Sequence, residues 1–321
     1  MLKIAEGYIP DPNMSAVYNT TLLHLVQTNE DIVLLENDLG RANGTYHKVR
    51  PFIGNRYVDC GIQEANMIGV ANGLSSAGMI PFAHGFASYI SRKAADQVYL
   101  TGCFARQNVK MFGSDPGVMA EKNGASHMAL EDMGIFLNYP NLTLVEPCDS
   151  VQLKFVIETC AKTYGMFYIR YNRKEVVKIY EEGSEFQFGK ANIVRDGSDA
   201  TIIASGIEVF QALKAADILK AENINVRVVD MFTWKPLDNE MIQKCAEETS
   251  AIVVAENHNC RCGLGSAVSK SVCQSCPVPM EFIGIQDDFG QVGPLSFHLE
   301  EYQLADHFIA DAVRRAIHRK K

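Results

Sequence analysis

Residues 61–78 read GIQEANMIGVANGLSSAG, a stretch of small and apolar residues with one carboxylate, Glu64, close to its start. This composition predicts a helix whose first turn contains that carboxylate. Glu64 would then face the positive end of the helix dipole, and we expect it to border a cavity. A carboxylic acid in an apolar cavity can share a proton with a heterocyclic nitrogen, which is cofactor chemistry. The alternative is that Glu64 only accepts hydrogen bonds from free backbone amides at the helix start.

Short apolar, β-branched runs alternate with amphipathic helical patterns on both sides of this segment, which is typical of parallel sheets covered by helices. We therefore expect an α/β protein with two doubly wound open-sheet domains, residues 1–180 and 191–321, joined by an acidic linker at residues 181–190. The predicted strands are 32–36, 79–83, 109–112, 142–145, 166–171, 200–204, 226–230, 251–256 and 280–285. The predicted helices are 15–28, 63–77, 88–104, 128–139, 150–164, 209–222, 239–249, 264–276 and 305–318.

Length, charge and composition exclude several classes of protein. The chain has 321 residues, of which 47% are hydrophobic, and a formal net charge of -8. This is enough for two domains with buried cores. The acidic balance argues against a nucleic-acid or anionic-membrane surface, because both require clustered Lys and Arg. No apolar run approaches the length of a membrane span and the first residues contain no signal-peptide core, so we expect a cytoplasmic protein.

The cysteines allow two interpretations. There are nine of them, without the dense spacing of a secreted disulfide scaffold, so we expect reduced thiols in a reducing compartment. Four, at positions 260, 262, 273 and 276, could surround a zinc ion. The alternative is that these thiols pack as small apolar groups, since Cys273 and Cys276 continue a helical pattern that begins at Gly265.

Short motifs spread over nearly the whole chain have a characteristic order and spacing. They are Asn37-Asp38-Leu39-Gly40, Pro140-Asn141-Leu142, Glu146-Pro147-Cys148-Asp149, Tyr168-Ile169-Arg170, Lys235-Pro236-Leu237-Asp238 and Glu256-Asn257-His258. Together with the segment around Glu64, they resemble the C-terminal half of a transketolase. The resemblance implies a pyrimidine-binding domain at residues 1–180 and a transketolase C-terminal domain at residues 191–321.

The resemblance also implies a cofactor and a reaction. In that family the glutamate that matches Glu64 hydrogen-bonds ring nitrogen N1′ of thiamine diphosphate, which acts as an electron sink while a two-carbon ketol unit passes from a ketose to an aldose. Phe86 and Tyr89 match the aromatic wall that stacks on the pyrimidine, although ordinary core packing is the alternative for both. Asp38 follows a buried strand, where open α/β sheets bind their ligands, and is assigned to the cofactor site.

Two further residues match family positions near the substrate. His127 matches a catalytic histidine, where an imidazole can donate a hydrogen bond or relay a proton, and a surface or capping role is the alternative. Arg170 matches the position that binds the substrate phosphate, and pairing with a neighbouring acid is the alternative.

The remaining substrate positions depart from the family pattern. Ser114 and Asp115 lie where a His-Asp-Ser element is usual, and Asn123 replaces an acidic residue. Ala42, with Arg41 beside it, replaces a common serine. We expect Ser114, Asp115, Asn123 and Arg41 to contact an anionic ketose, and these departures leave open whether it is one of the usual sugar phosphates.

Half of the cofactor site is missing from this sequence. The family binds the diphosphate and Mg²⁺ with a Gly-Asp-Gly turn and a later Asn, and the chain contains no Gly-Asp-Gly. We therefore expect no metal ligands here and a separate N-terminal subunit that supplies them, in an assembly with two copies of each chain. The chain alone is expected to be inactive.

Three alternatives remain at this stage. The first is the beta subunit of a 2-oxoacid dehydrogenase decarboxylating component, and the second is a fragment similar to 1-deoxyxylulose-phosphate synthase. The third is a non-catalytic binding or regulatory subunit, against which the retention of Glu64, Phe86 and Tyr89 argues.

Overall fold

The computed structural model describes residues 2–320, in which strands and helices alternate along the chain. The strands are β1 Ile32–Glu36, β2 Tyr57–Asp59, β3 Ile80–Phe86, β4 Lys110–Ser114, β5 Leu142–Val145, β6 Met166–Tyr171, β7 Asn192–Arg195, β8 Ala200–Ala204, β9 Val226–Asp230, β10 Thr233–Lys235, β11 Ile252–Asn259 and β12 Met280–Ile285. The helices are α1 Met14–Thr28, α2 Gly40–Asn43, α3 Thr45–Lys48, α4 Arg50–Ile53, α5 Glu64–Ser76, α6 Ala87–Lys93, α7 Asp132–Leu137, α8 Ser150–Lys162, α9 Glu208–Lys220, α10 Asn239–Thr249, α11 Leu264–Ser275, α12 Leu295–Glu301 and α13 Asp306–His318. A π-helical segment, Gln97–Phe104, follows α6, and 3-10 segments lie at Gly54–Arg56 and Gly117–Asn123.

The first sheet, within residues 2–320, has seven strands in the order β10-β5-β6-β4-β3-β1-β2. Strands β1 to β6 pair in parallel, and Phe82 at the centre lies opposite Leu34 on one side and Lys110 on the other. Strands β1, β4 and β6 are buried along their whole length, as expected for a parallel sheet covered on both faces. Strand β10 pairs antiparallel with β5, so residues beyond the linker supply one edge of this sheet.

The second sheet, over the same described residues, has five strands in the order β12-β11-β8-β9-β7. Its neighbours pair in parallel except for β7, which runs antiparallel to β9. The prediction of an α/β protein with two open sheets is confirmed, and each sheet carries one antiparallel edge strand.

Helices cover both faces of the first sheet. Leu22 of α1 and Leu153 of α8 join Phe82 in one apolar cluster, whereas Met67 of α5 joins Met111 in a cluster on the other face. Burying a side chain of this size contributes about 1.5–3 kcal/mol. Helix α5 is therefore held against the sheet by its apolar side, which fixes the position of Glu64 at its first residue.

The segment between the two halves contains neither a helix nor a strand from residue 181 to residue 190. It is nonetheless packed, because the rings of Phe186 and Phe188 lie 5.4 and 5.5 Å from the ring of Phe155 in α8. Among the residues described, no helix is both long and apolar enough to cross a membrane.

Candidate active site

The candidate site lies at the carboxyl edge of the first sheet, where β1, β3 and β4 end side by side at Glu36, Phe86 and Ser114. In open parallel sheets this edge is where ligands bind, because the loops that leave neighbouring strands converge there. Four of the residues predicted for the site lie at these strand ends: Phe86 and Ser114 are the last residues of β3 and β4, and Asp38 and Asp115 follow β1 and β4 within two residues.

Glu64 is the first residue of α5 and is almost fully buried, with 2% of its surface exposed. Its Oε1 accepts a hydrogen bond from Nδ2 of Asn37 at 2.9 Å, and its Oε2 lies 3.0 Å from Nζ of Lys93. Asn37 follows β1, and its amide packs against Gly85 so closely that a Cβ at that glycine would lie 2.9 Å from Nδ2. The carboxylate is thus held by a neutral amide on one oxygen and by an ammonium on the other.

Three rings cluster near Lys93, the cation that pairs with this carboxylate. Phe86 ends β3 and Tyr89 lies in α6, with ring centroids 6.0 Å apart and nearly perpendicular planes. The ring of His127 lies 4.9 Å from Phe86 and 5.0 Å from Tyr89. Lys93 joins the two parts of the site, because its ammonium also stands 4.5 Å from the centroid of Tyr89. An aromatic wall and a buried acid are therefore brought together, as a flat nitrogen heterocycle requires.

His127 is half-buried, and its surroundings favour the neutral imidazole. Partial burial lowers the pKa of His127, and the nearby charges of Arg92 and Lys93 lower it further. Its Nδ1 lies 2.9 Å from the hydroxyl oxygen of Ser126. A neutral ring at this position can donate one hydrogen bond and accept another near neutral pH.

Asp115 lies just after β4 and pairs with Arg173, a residue that the sequence analysis did not select. Nε of Arg173 donates to Oδ2 of Asp115 at 2.8 Å, and the guanidinium carbon lies 5.2 Å from the ring of Phe86. Burial disfavours the charged form of Arg173, but the hydrogen bond and the negative charge of Asp115 outweigh this effect. The pKa of Arg173 is therefore raised. Arg173 therefore brings a fixed cation to the aromatic wall.

The other residues predicted to contact the substrate differ in their exposure and in their partners. Ser114 is fully buried, and its hydroxyl donates to the carbonyl of Gly85 at 3.3 Å, so the expectation that it contacts a substrate is wrong for this structure. Asn123 is exposed at the end of the 3-10 segment, four residues before His127. Arg41 is exposed and stacks on Tyr46, with its guanidinium carbon 4.0 Å from the ring centroid.

Asp38, predicted for the cofactor site, is exposed at the end of β1 next to Asn37. Its backbone has a positive φ of 66°, and its amide donates to Oδ1 of Asp59 at 3.0 Å. The side chain thus lies at the same carboxyl edge as Glu64, with its backbone held by the neighbouring strand.

The prediction that Arg170 binds a substrate phosphate is wrong for this structure. Its side chain is fully buried inside β6, where Nε donates to Asp132 at 3.0 Å and Nη1 to Glu146 at 2.9 Å. Nη2 donates to the carbonyls of Ala129 and Asn257, each at 3.0 Å. Burial disfavours its charge, but the two carboxylates outweigh that penalty and raise the pKa of Arg170. The alternative assignment, pairing with neighbouring acids, describes its role, and the bond to Asn257 ties the first sheet to the second.

Sequence reasoning missed Asn37, Lys93 and Arg173. A signal for Arg173 was present, because a parallel strand delivers to the ligand edge the residues beyond its carboxyl end rather than those within it. Arg170 lies within β6, and Arg173 lies two residues past its end. Asn37 carries the same signal after β1, whereas Lys93 becomes apparent only when α6 is packed against α5.

The aromatic rings and the buried carboxylate suit a flat nitrogen heterocycle. Within residues 2–320, no group of three or more His, Cys, Asp or Glu side chains is placed to hold a metal ion. This includes the four cysteines at 260, 262, 273 and 276, and all nine cysteines of the chain are free thiols in the described region.

Two protein-family models match this chain. The model of the transketolase pyrimidine binding domain matches residues 11–178, and that of the transketolase C-terminal domain matches residues 189–307. The chain is 40% identical to the 6-deoxy-6-sulfo-D-fructose transketolase subunit SqwH of Clostridium sp. (strain MSTE9), over 99% of this chain and 97% of that protein. It is 35% identical to a subunit of the apulose-4-phosphate transketolase of Phocaeicola vulgatus, over 84% and 86% of the two chains.

A solved structure described as a split gene transketolase, inactive beta4 tetramer, superposes with a TM-score of 0.88. It is 35% identical in sequence, and the match covers 98% of this chain and all of that one. These relatives favour the transketolase assignment over a 2-oxoacid dehydrogenase beta subunit, and family membership implies thiamine diphosphate as the cofactor. The chain belongs to the transketolase family, in which it comprises the pyrimidine-binding and C-terminal domains of a transketolase-type transferase.

Proposed function

We propose that this chain is the C-terminal subunit of a split transketolase that moves a two-carbon ketol unit from an anionic ketose to an aldose. The observation that carries the proposal is that Lys93 contacts both the buried Glu64 carboxylate and the ring of Tyr89, which packs with the rings of Phe86 and His127. Thiamine diphosphate supplies the electron sink for the transferred carbanion when it is bound. The residues of this chain bind one half of it and handle protons and the substrate.

Each side chain has a distinct role in this proposal. Glu64 shares a proton with the ring nitrogen of the pyrimidine, and Asn37 orients its carboxylate through Oε1. Phe86 and Tyr89 provide flat apolar surface for the ring. Neutral His127 donates a hydrogen bond to a substrate oxygen or accepts a proton from it, because its lowered pKa keeps the imidazole uncharged near pH 7.

We further infer that Arg173, rather than Arg170, contacts the anionic end of the substrate. Its guanidinium pairs with Asp115 and stands 5.2 Å from the ring of Phe86, with part of the side chain exposed. A guanidinium fork suits a tetrahedral oxyanion such as a phosphate or sulfonate. The SqwH subunit and the apulose-4-phosphate transketolase subunit bear the names of substrates that carry such groups, which supports an anionic ketose here.

The partner is proposed to be an N-terminal subunit that carries the diphosphate-binding domain and Mg²⁺, with two copies of each chain in the assembly. Two relatives are described as subunits, and a third, related chain is described as inactive in a tetramer of its own kind. The free thiols are in keeping with a cytoplasmic enzyme of carbohydrate metabolism.

Reconstitution tests this proposal. This chain is mixed with a chain that carries a Gly-Asp-Gly diphosphate-binding domain from the same genome, and ketol transfer is measured with thiamine diphosphate, Mg²⁺ and a panel of phosphorylated, sulfonated and neutral ketoses. We expect activity only from the pair, on an anionic donor, and a loss of about 100-fold or more with Glu64→Gln because the shared proton is removed. Arg173→Lys should raise KM for the anionic donor and leave a neutral donor unaffected. Full turnover by this chain alone, or an active Glu64→Gln pair, would refute the proposal.

A further inference from the structure

Lys93 makes two contacts that coincide with those assigned to the cofactor ring. Its ammonium lies 3.0 Å from Oε2 of Glu64 and 4.5 Å from the ring centroid of Tyr89. Glu64 is the acid proposed to share a proton with the pyrimidine, and Tyr89 is one of the rings proposed to stack on it. A pyrimidine that uses both partners must therefore take the position that the ammonium now holds.

Charge explains why a lysine is placed there. The Glu64 side chain is 1% exposed, and a desolvated carboxylate without a counter-charge is costly. Asn37 supplies only a neutral amide to Oε1. Lys93 supplies the positive charge on Oε2, so it stabilises the site while no ring is present.

Lys93 is also free to leave. It is the last residue of α6 and its side chain is 47% exposed, and within residues 2–320 Glu64 is the polar partner of its ammonium. Its neighbour Arg92 differs, because that guanidinium is fixed by the carboxylate of Glu131 and by the carbonyls of Ser126 and Met128. A rotation of the lysine side chain into solvent clears the position without moving the helix.

We propose that Lys93 occupies the pyrimidine position in the cofactor-free enzyme and that cofactor binding exchanges the ammonium for the ring. This inference rests on the proposed function. Lys93 then lowers the affinity for the cofactor by the free energy of the ion pair that must be broken. Since the ammonium is about half-exposed, that effect is modest, and its removal should strengthen binding about three- to tenfold.

The test is the dissociation constant of thiamine diphosphate, measured by equilibrium dialysis with Mg²⁺ on the assembled pair of subunits. Lys93→Met, which keeps the length of the side chain and removes its charge, should bind three- to tenfold more tightly, and Lys93→Gln should do the same. Lys93→Arg, which retains the charge, should stay within about twofold of the wild type. The matched control is Lys220→Met, since Lys220 is an exposed lysine at the last residue of α9 in the other half of the chain.

A double substitution tests whether the effect of Lys93 on cofactor affinity depends on the charge of Glu64. In a Glu64→Gln background the acid charge is gone, so Lys93→Met should no longer strengthen binding. Unchanged or weaker binding by both Lys93→Met and Lys93→Gln would overturn the exchange while leaving the proposed function intact. A gain that persists in the Glu64→Gln background would also overturn it. A wild-type pair that binds no thiamine diphosphate would overturn the proposed function and the exchange together.

Discussion

Replacing Arg170 with methionine should destabilise the chain strongly without acting through the substrate. The guanidinium joins Asp132 at 3.0 Å and Glu146 at 2.9 Å, and all three side chains are almost fully buried. Methionine keeps the apolar stem but leaves both carboxylates without their cation, and breaking a buried ion pair costs about 3–5 kcal/mol. With a urea m-value of roughly 3 kcal/mol/M for a chain of this size, the unfolding midpoint should fall by about 1–1.7 M.

Tryptophan fluorescence during urea unfolding is the suitable assay, because the chain has one tryptophan and it belongs to this cluster. Nε1 of Trp234 donates to Oγ of Ser205 at 2.9 Å, and that hydroxyl donates to Oε2 of Glu146 at 2.6 Å. The control is Arg106→Met, at an exposed arginine, which should change the free energy of unfolding by less than about 0.5 kcal/mol. An Arg170→Met chain with a wild-type midpoint, combined in the reconstituted pair with a raised KM for anionic donors only, would refute the structural role and restore the substrate assignment.

Three further predictions follow from the site and its surroundings. Gly85→Ala should weaken binding of thiamine diphosphate to the assembled pair about fivefold. The new Cβ would lie 2.9 Å from Nδ2 of Asn37 and would displace the amide that orients Glu64. An unchanged dissociation constant would contradict this. His127→Ala should lower kcat about 100-fold in steady-state assays. His127→Gln keeps a neutral hydrogen-bonding group and should retain more of the activity. Equal losses in the two variants would argue against the proposed hydrogen bond. Burial raises the pKa of Asp230 to about 6, from about 4 in the unfolded chain. Proton binding by Asp230 therefore favours the folded state fully below pH 4, and this contribution to the free energy of unfolding is lost as the pH rises through 6. Asp230→Asn should therefore remove about 2–3 kcal/mol of the decline in unfolding free energy between pH 4 and 8, and denaturation curves with the wild-type pH dependence would show that another group is responsible.

Strand positions were predictable because burial on both faces leaves a clear trace in a sequence. The predicted ranges 32–36, 142–145 and 166–171 coincide with β1, β5 and β6, whose residues are almost all buried. The edge strands β2, β7 and β10 were missed, since each has only three or four residues and pairs with a single strand distant in sequence.

The helix predicted at 128–139 is shorter than expected for a reason that only the tertiary structure supplies. Helix α7 covers Asp132–Leu137, and the backbone carbonyls just before it are already engaged. The carbonyl of Met128 accepts from Arg92, that of Ala129 from the amide of Gly117, and that of Leu130 from the amide of Asn259. These long-range bonds replace the helical ones, so amphipathic spacing over residues 128–131 predicts a turn of helix that does not form.

The sequence predicted the cofactor side of the candidate site and the substrate side differently well, and the difference lies at the end of β6. The sequence predicted Glu64, Phe86, Tyr89 and His127 for one site, and their role stays a prediction. The structure packs the three rings against one another and connects Tyr89 to Glu64 through Lys93. The motif match selected Arg170 rather than Arg173, the cation proposed for the substrate, because such a match gives a position in sequence and not the depth of a residue within its strand.

The central claim is that Glu64 contacts the pyrimidine of thiamine diphosphate while a partner subunit holds the charged end of that cofactor. The measurement that tests it most directly is a crystal structure of the assembled pair with thiamine diphosphate and Mg²⁺. We predict that a Glu64 carboxylate oxygen lies within about 3 Å of ring nitrogen N1′, with Phe86 and Tyr89 against the ring and every metal ligand from protein on the other subunit. A Glu64 side chain turned away from the ring, or a ring bound in another cleft, would contradict the account.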